Sequence, residues 1–297
     1  MNLALFDLHC DTAYEAYIRN KRLRTKELAV DFNIGSFSRL SQVLALWSDK
    51  RLSNEDAYQQ CLSMITFIKQ EQQQHPKDFL NCALYLAVED ARILNGNIER
   101  LDILYQLGVR FLTLCWAGNS CIGGAYDTTL GLTAFGKQVV KRCFEIGIIL
   151  DLSHASIQTV NEVLEIANRR PLIASHSNAF AIHPHPRNLP DEFFCEIVNC
   201  NGLVGINLYT EHLGLNLNRS ATDMIIKHID HFLSLGGEYT VCFGCDFDGA
   251  KTPSSYQHPS DLFALAQEME KRNFSYTLIE KIFYKNAEDF LNKNISL

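Results

Sequence analysis

The chain alternates between short apolar runs and longer amphipathic segments. The apolar runs are rich in β-branched residues and several are continuous, which is typical of strands covered on both faces. They predict eight strands, at Leu3–His9, Gln42–Trp47, Ala83–Glu89, Phe111–Trp116, Ile148–Leu152, Leu172–His176, Leu203–Leu208 and Thr240–Asp246. Segments with helical periodicity separate these runs, so the pattern predicts a repeated strand–helix order.

The segments between the predicted strands have apolar residues at spacings of three and four. The clearest helical patterns cover residues 54–74, 97–108, 132–147, 155–168 and 221–237. Strand and helix alternate without a low-complexity linker, which predicts an α/β protein with a single (β/α)8 TIM barrel over residues 1–297. A last helical pattern at residues 275–293 is expected to close the barrel or to pack beneath it.

The composition is that of a soluble globular protein, with 47% hydrophobic and 21% charged residues. The formal charge of −7 argues against a nucleic acid or an anionic membrane as a partner, because both bind basic surfaces. Ten cysteines are scattered along the chain, mostly within apolar runs, and indicate buried reduced thiols. Neither a signal peptide nor a membrane-spanning run is recognisable, and a cytoplasmic location is expected.

Ionisable residues occur where the predicted strands end, and the C-terminal strand ends of such a barrel build the active site. The residues at or just beyond these ends are His9, Asp11, Glu89, Trp116, His154, His176 and Asp246. Taken singly, His154 could cap a helix, Glu89 could favour a helix N-terminus and Asp246 could form a turn. A purely structural barrel does not require such residues at five strand ends, so together they indicate a functional site.

The candidate metal ligands are His9, Asp11, Glu89, His154 and His176. Imidazole and carboxylate groups suit one or two divalent ions, with zinc favoured and manganese, cobalt or iron as alternatives. His9 and Asp11 lie two residues apart, and this spacing places both side chains on one face of a strand. The same rule puts Asp7 on that face, one step deeper, and directs Cys10 towards the helices. A carboxylate such as Glu89 can bridge two ions, which can hold one hydroxide between them.

Six segments resemble motifs of the zinc-dependent membrane dipeptidase family, also called renal or microsomal dipeptidases, which are amidohydrolase-like metal barrels. In the family's order, they are DLHCDT, AVEDAR, GIILDLSHAS, PLIASHSNA, HPRNLPDE and VCFGCDFDGA. The resemblance implies that His9 and Asp11 bind a first metal ion and that Glu89 bridges it to a second. It implies that His154 and His176 bind the second ion.

The resemblance also implies the reaction. Two zinc ions, replaceable by Mn²⁺ or Co²⁺, would hold a bridging hydroxide that attacks the peptide bond of a dipeptide, including L-Xaa-D-Xaa substrates. Arg187 in HPRNLPDE would bind the terminal carboxylate of the substrate, and Asp246 would transfer the proton of the attacking water to the leaving amine. The family also makes a homodimer plausible for this chain.

Trp116 departs from the family pattern, because animal members carry a histidine there that contacts the substrate carbonyl. An indole N–H donates a hydrogen bond but cannot carry charge, so Trp116 is expected to bind substrate with an altered substrate range. A second departure lies at the ends of the chain, where neither a secretion signal nor a lipid-anchor tail is recognisable. The membrane attachment of the animal enzymes is therefore not expected here.

Two other functions stay open on these residues. Another amidohydrolase reaction on the same metal site would hydrolyse an N-acyl amino acid, a lactam or a lactone. Arg187 discriminates between the two reactions, because a substrate without a free carboxylate leaves this side chain idle. A non-catalytic metal-binding protein would hold metal without turnover, and the presence of Asp246 beside five candidate ligands argues against it. The nearby His183 and His185 are expected to have loop or supporting roles.

Overall fold

The structure is a computed structural model that describes residues 2–216 and 219–295. Eight parallel strands form a closed barrel in chain order, and the eighth strand pairs with the first. The strands are β1 (Leu5–Cys10), β2 (Leu40–Leu46), β3 (Cys82–Glu89), β4 (Val109–Thr113), β5 (Ile149–Asp151), β6 (Ile173–Ala174), β7 (Leu203–Ile206) and β8 (Val241–Phe243). Each predicted strand overlaps an observed one, and the predicted (β/α)8 barrel is confirmed.

Within the described residues, ten α-helices surround and close the barrel. They are α1 (Thr12–Ile18), α2 (Asn54–Gln74), α3 (Glu99–Gln106), α4 (Ala134–Ile146), α5 (Ile157–Ala167), α6 (Asp191–Asn199), α7 (Ala221–Ser234), α8 (Leu262–Lys271), α9 (Tyr276–Glu280) and α10 (Asn286–Asn294). A π-helical segment, Lys281–Lys285, joins α9 to α10. No helix in residues 2–216 and 219–295 combines the length and the apolar character needed to cross a bilayer.

Serine or threonine side chains begin five of these helices. Ser53, Thr133, Ser156, Ser220 and Ser275 precede α2, α4, α5, α7 and α9. In each case the hydroxyl oxygen accepts a hydrogen bond from the backbone N–H three residues later. This bond satisfies a donor that the first turn of a helix leaves unpaired, so the sequence fixes where these helices start.

The inside of the barrel is filled by an apolar cluster that we call the barrel floor. Every strand contributes to it, through Phe6, Leu8, Val43, Ala87, Phe111, Ile149, Ile173, Leu203 and Cys242. The end of the chain supplies the rest, with Tyr284, Ala287, Phe290, Leu291 and Ile295. Of the two placements predicted for the last helical segment, closing the barrel or packing beneath it, the structure shows the second. The C-terminal ends of the strands lie opposite the floor and form the open end of the barrel.

The first strand corrects one expectation about side-chain direction. The pairing of β1 with β2 shifts between Asp7 and Cys10. Phe6 and Leu8 both belong to the floor, so Asp7 between them faces the other side of the strand, where its Oδ1 accepts from the backbone N of Cys245 at 2.8 Å. The prediction that Asp7 shares the face of His9 and Asp11 is wrong, because the irregular pairing breaks the two-residue alternation. Cys10 packs against the outer core, as predicted.

Candidate metal centre

Glu89, the last residue of β3, lies at the centre of a cluster of buried ionisable side chains. Its Oε2 is 3.5 Å from His9 Nε2. Its Oε1 is 3.2 Å from His154 Nε2 and 3.8 Å from His176 Nε2. Asp11 completes the cluster, with its Oδ2 3.5 Å from His9 Nε2. The structure thus brings all five predicted metal ligands together, and the two Glu89 oxygens face different histidines.

The seam between β1 and β8 brings the first and last members of the site together. Asp11 N donates to the carbonyl of Phe247, and Asp246 N donates to the carbonyl of His9. The Thr12 hydroxyl also donates to Asp248 Oδ2, at 2.5 Å. These bonds hold the chain beyond β1 against the chain beyond β8, on the side where the candidate ligands lie.

Two site residues lie where regular strand geometry has ended. Asp246 follows β8 and His154 follows β5, and their φ angles of 62° and 67° lie in the left-handed region. Residues other than glycine rarely adopt this conformation, which is enriched at functional sites. The predicted strand at Thr240–Asp246 was therefore too long, because the backbone turns at Asp246 to present its side chain. The predicted strand at Leu172–His176 was also too long, since β6 ends at Ala174.

The hydrogen bonds of two histidines define which ring nitrogen is free. His154 Nδ1 donates to the Trp116 carbonyl at 3.0 Å. His176 Nδ1 lies 2.7 Å from Ser175 Oγ, whose own proton goes to Asp151 Oδ2 at 2.5 Å. Burial lowers the pKa of both histidines well below the usual value, so both rings are neutral with the proton on Nδ1. The Nε2 atoms of the two rings lie 2.8 Å apart, and each carries an unshared electron pair. A cation bound to both nitrogens would remove the repulsion between these electron pairs.

The electrostatics of the cluster also favour bound cations. Burial opposes protonation of His9, but the carboxylates of Glu89 and Asp11 outweigh it and raise the His9 pKa to about 10. His9 Nε2 is buried and has no hydrogen-bond partner among the described residues. Gly249 preserves the space, because a Cβ there would lie 1.9 Å from Asp11 Oδ2. Imidazole and carboxylate donors around this space fit divalent ions such as zinc, manganese or cobalt.

Asp246 lies beside the ligand cluster with one oxygen anchored. Asn207 Nδ2 donates to Asp246 Oδ2 at 3.0 Å, whereas Asp246 Oδ1 is 3.8 Å from His9 Nε2. Burial raises the pKa of Asp246. Sequence reasoning missed Asn207, although it lies four residues after Leu203, in the inward-facing phase of β7. The arrangement leaves Oδ1 of Asp246 available to accept and release a proton.

A cavity of about 480 Å³, which we call the central cavity, opens above the cluster. Its lining includes Asp11, Glu89, Trp116, His154, Arg187 and Asp246, so the sequence-predicted substrate-binding residues share a cavity with ligand candidates. Arg187 is 5% exposed, and its Nε and Nη2 atoms have no hydrogen-bond partner among the described residues. Its guanidinium lies 5.6 Å from the Tyr126 ring centroid. An unpartnered buried guanidinium in a cavity is suited to an anionic group.

Several aromatic side chains line the central cavity. Trp116 packs edge-on against Trp47, with ring centroids 5.2 Å apart, and the Tyr14 ring lies nearly perpendicular to that of Trp47, with centroids 4.7 Å apart. Tyr126 and Tyr209 line the same cavity. Of these residues, the sequence indicated Trp116 only, through its place at the end of a predicted strand and in a family motif; the three tyrosines lie outside the predicted strands.

Two curated proteins are similar to this chain. An uncharacterized dipeptidase of Schizosaccharomyces pombe is 28% identical over 258 residues, which are 80% of this chain and 63% of that protein. The chain thus spans less than two thirds of the length of this relative. An uncharacterized protein from the pqqA 5′ region of Klebsiella pneumoniae is 29% identical over 215 residues, covering 69% of this chain and 79% of that protein.

Solved structures share the fold. A dipeptidase described as a metallopeptidase of family M19 superposes with a TM-score of 0.88 at 24% identity, covering 99% of both chains. A Rhodobacter sphaeroides metallopeptidase, solved with a phosphinate mimic of L-Ala-D-Ala, has a TM-score of 0.87 at 22% identity, covering 99% of this chain and 100% of the other. The family model "Membrane dipeptidase (Peptidase family M19)" matches residues 1–292. The resemblance seen in the sequence is confirmed, and the chain belongs to the membrane dipeptidase family of metallopeptidases, peptidase family M19.

Proposed function

We propose that this protein is a dipeptidase that hydrolyses dipeptides with two zinc ions, for which manganese or cobalt can substitute. His9 and Asp11 would hold one ion, His154 and His176 the other, and Glu89 would bridge them. The observation that carries this proposal is the position of Glu89, whose two oxygens face His9 on one side and His154 on the other. Family membership supports the same reaction class.

The chemistry divides between the ions and the chain. Zinc ions, when bound, polarise a carbonyl oxygen and lower the pKa of water until hydroxide is available near neutral pH. Asp246 acts as the acid–base group: Asn207 holds its Oδ2, and its Oδ1 accepts a proton from the attacking water and gives it to the leaving amine. The hydrogen bonds to Trp116 and Ser175 keep the Nε2 atoms of His154 and His176 free for the metal.

The charges around the central cavity favour a zwitterionic substrate. Arg187 binds the terminal carboxylate through a charge-assisted pair, which its unpartnered Nε and Nη2 atoms support. Glu15 and Asp248 also line the cavity and provide negative charge for the substrate ammonium group. A substrate that carries both a carboxylate and an ammonium group is therefore favoured. The Rhodobacter sphaeroides complex with a mimic of L-Ala-D-Ala supports acceptance of a D-residue at the C-terminal position.

Trp116 is proposed to border the substrate in place of the family histidine. Its contact with Trp47 fixes the ring at the edge of the cavity. There the indole contributes apolar surface and at most one hydrogen-bond donor. It cannot supply a positive charge to the carbonyl oxygen, so stabilisation of the negative charge that develops there is left to the metal ions.

The test of the proposed function combines elemental analysis with a substrate panel. The purified protein is expected to contain about two zinc ions per chain, or to regain activity on reconstitution with zinc or manganese, and to hydrolyse L,L and L,D dipeptides. A protein that holds no metal and stays inactive after reconstitution contradicts the proposal. Hydrolysis of lactones or lactams, but of no dipeptide, would assign it to another amidohydrolase reaction.

Two substitutions separate the proposed roles. Arg187→Met should lower kcat/KM for dipeptides by about a hundredfold, because the terminal carboxylate loses its partner. Asp246→Asn should lower kcat by about a hundredfold or more while the zinc content is retained. Full activity of Asp246→Asn would show that another group transfers the proton. Unchanged kcat/KM of Arg187→Met would indicate a substrate without a free carboxylate.

A further inference from the structure

A second cavity, of about 410 Å³, opens beside the central cavity, and we call it the side cavity. It lies between the loop after β4, the first turns of α5 and the loop after β6. Its lining includes Leu152, Ile157, Val160, Phe180, Leu189 and Phe193. These aliphatic and aromatic walls suit an apolar group, in contrast to the carboxylates that line the central cavity.

The two cavities meet at Arg187. Tyr126, His154 and Arg187 line both of them. Arg187 is 5% exposed, and two of its nitrogen donors have no partner among the described residues. An anionic group bound at this junction would therefore pair with a buried positive charge. His154 Nε2, on the other side of the junction, lies 3.2 Å from Glu89 Oε1. A molecule bound to Arg187 therefore lies beside both the metal ligands and the apolar side cavity.

We propose that the side cavity receives the side chain of the C-terminal residue of the substrate and favours large apolar residues there. This inference rests on the proposed function, in which Arg187 binds the terminal carboxylate and the scissile carbonyl lies near Glu89. The α-carbon of the C-terminal residue stands between those two groups in every dipeptide. Its side chain therefore starts at the junction, where the side cavity offers apolar contact and the central cavity offers carboxylates.

The mouth of the side cavity carries apolar side chains that are exposed to solvent. Ile157 is 62% exposed and Phe180 is 41% exposed, although both line the cavity. Leu130, 55% exposed, lies at the same end of α5, because its carbonyl accepts from Ser156 Oγ at 2.5 Å. Apolar side chains grouped at the mouth of a cavity indicate a binding surface, whereas isolated ones do not. They extend the apolar area that a large side chain would cover.

The first test compares substrates of the zinc-loaded protein that differ only in the C-terminal residue. It measures kcat/KM for L-alanine followed by Gly, Leu or Phe, with L and D isomers of the last two. We expect the better Leu and Phe isomers to exceed Ala-Gly by about tenfold or more, since burial of such a side chain is worth about ten- to a hundredfold. Equal rates overturn this inference and leave the proposed function intact. Hydrolysis of no dipeptide overturns both.

The second test changes the cavity. Phe180→Asp places charge at its mouth, and Thr129→Trp fills it from an exposed lining position. Each should lower the Ala-Phe to Ala-Gly ratio of kcat/KM by about tenfold and leave the Phe-Gly to Ala-Gly ratio unchanged. The matched control is Leu80→Asp, because Leu80 is 77% exposed and precedes β3, away from the site; it should alter neither ratio.

Two outcomes would overturn the inference. One is a change in the Phe-Gly to Ala-Gly ratio alone. It would assign the side cavity to the side chain of the N-terminal residue. The other is an unchanged Ala-Phe to Ala-Gly ratio in Phe180→Asp, together with dissociation of a wild-type dimer in sedimentation velocity. That result would identify the exposed apolar group as an interface between two copies of the chain.

Discussion

The two ends of the barrel are built from the same eight strands but from opposite kinds of side chain. At the floor, Phe6, Phe111 and Phe290 pack in a cluster to which every strand contributes. At the open end, His9 and Glu89 are buried to a similar extent but carry charge. Burial of the phenyl rings stabilises the fold, whereas burial of the charged groups opposes folding unless opposite charges or metal ions compensate.

The pKa values show the cost at the open end. Burial, with the charges of Asp11 and Asp246, raises the Glu89 pKa well above its usual value, and His9 partly offsets this effect. The open end is thus held in an unfavourable arrangement by the strands and the floor, and bound cations would relieve it. Stability and chemistry are thus divided between the two ends of the barrel. Substitutions can test this separation directly.

The largest effect is expected from Glu89→Gln. Loss of the carboxylate between the two histidine groups should abolish stable binding of both metal ions and lower hydrolysis by about three orders of magnitude. The metal-free variant should melt at a temperature no lower than the metal-free wild type, because a neutral amide avoids the burial of charge. Elemental analysis, dipeptide hydrolysis and calorimetry of the metal-free proteins measure the three quantities.

A buried glutamate outside the site provides the control. Glu71, in α2, is 8% exposed, and its Oε2 accepts from the backbone N of Leu23 at 3.0 Å. Glu71→Gln should retain both metal ions and lose about 1–2 kcal/mol of stability through the weakened hydrogen bond. A pronounced loss of stability in metal-free Glu89→Gln, similar to that of Glu71→Gln, would contradict the separation between the two ends.

The reverse experiment acts on the floor. Phe290 is 5% exposed, and Phe290→Ala should lower the free energy of unfolding by about 3–5 kcal/mol through lost burial and the cavity that remains. Below the melting transition, metal content and kcat/KM should match the wild type, because the substitution lies at the opposite end from the ligands. Urea denaturation and steady-state kinetics provide the measurements. Lost metal binding in a folded Phe290→Ala protein would show that the floor also sets the site geometry.

The smallest effect concerns the support of one ligand. Ser175→Ala removes the hydroxyl between His176 Nδ1 and Asp151 and should weaken metal affinity by about ten- to a hundredfold. Ser41→Ala is the matched control, because Ser41 is equally buried but lies near the start of β2. Competition with a chelating dye measures both affinities. Equal affinities in the two variants would mean that ring orientation at His176 does not depend on Ser175.

The sequence allowed the fold to be predicted because strand and helix periodicities alternate clearly. Continuous apolar runs located all eight strands, and the helical pattern at residues 54–74 coincides with α2 (Asn54–Gln74). The errors have local causes. The alternation rule failed at Asp7, where the pairing of β1 is irregular. Six strands ended earlier than predicted, among them β6 and β8, which end before His176 and Asp246. The periodicity of apolar side chains does not reveal where the pairing of two strands becomes irregular or where a residue adopts left-handed backbone angles.

The site was predictable where its residues are ionisable and follow strands. All five candidate ligands, with Trp116, Arg187 and Asp246, are brought together as the motifs indicated. Supporting residues were not predictable in the same way. Asn207 and Ser175 act through hydrogen bonds to site residues, and Trp47 and Tyr126 through ring contacts, so none has a residue type that signals chemistry. Their roles depend on which loops meet above the barrel, which the order of the elements does not specify.

The seam between β1 and β8 has a consequence for biosynthesis. Thr12 and Asp248, joined by one hydrogen bond, are separated by 236 residues, and the floor is completed only by α10. A ribosome therefore has to release nearly the entire chain before His9 and Asp11 can meet Asp246. The five candidate ligands end at His176, but the barrel that orients them closes only when β8 pairs with β1. We therefore expect metal binding to follow the synthesis of nearly the entire chain.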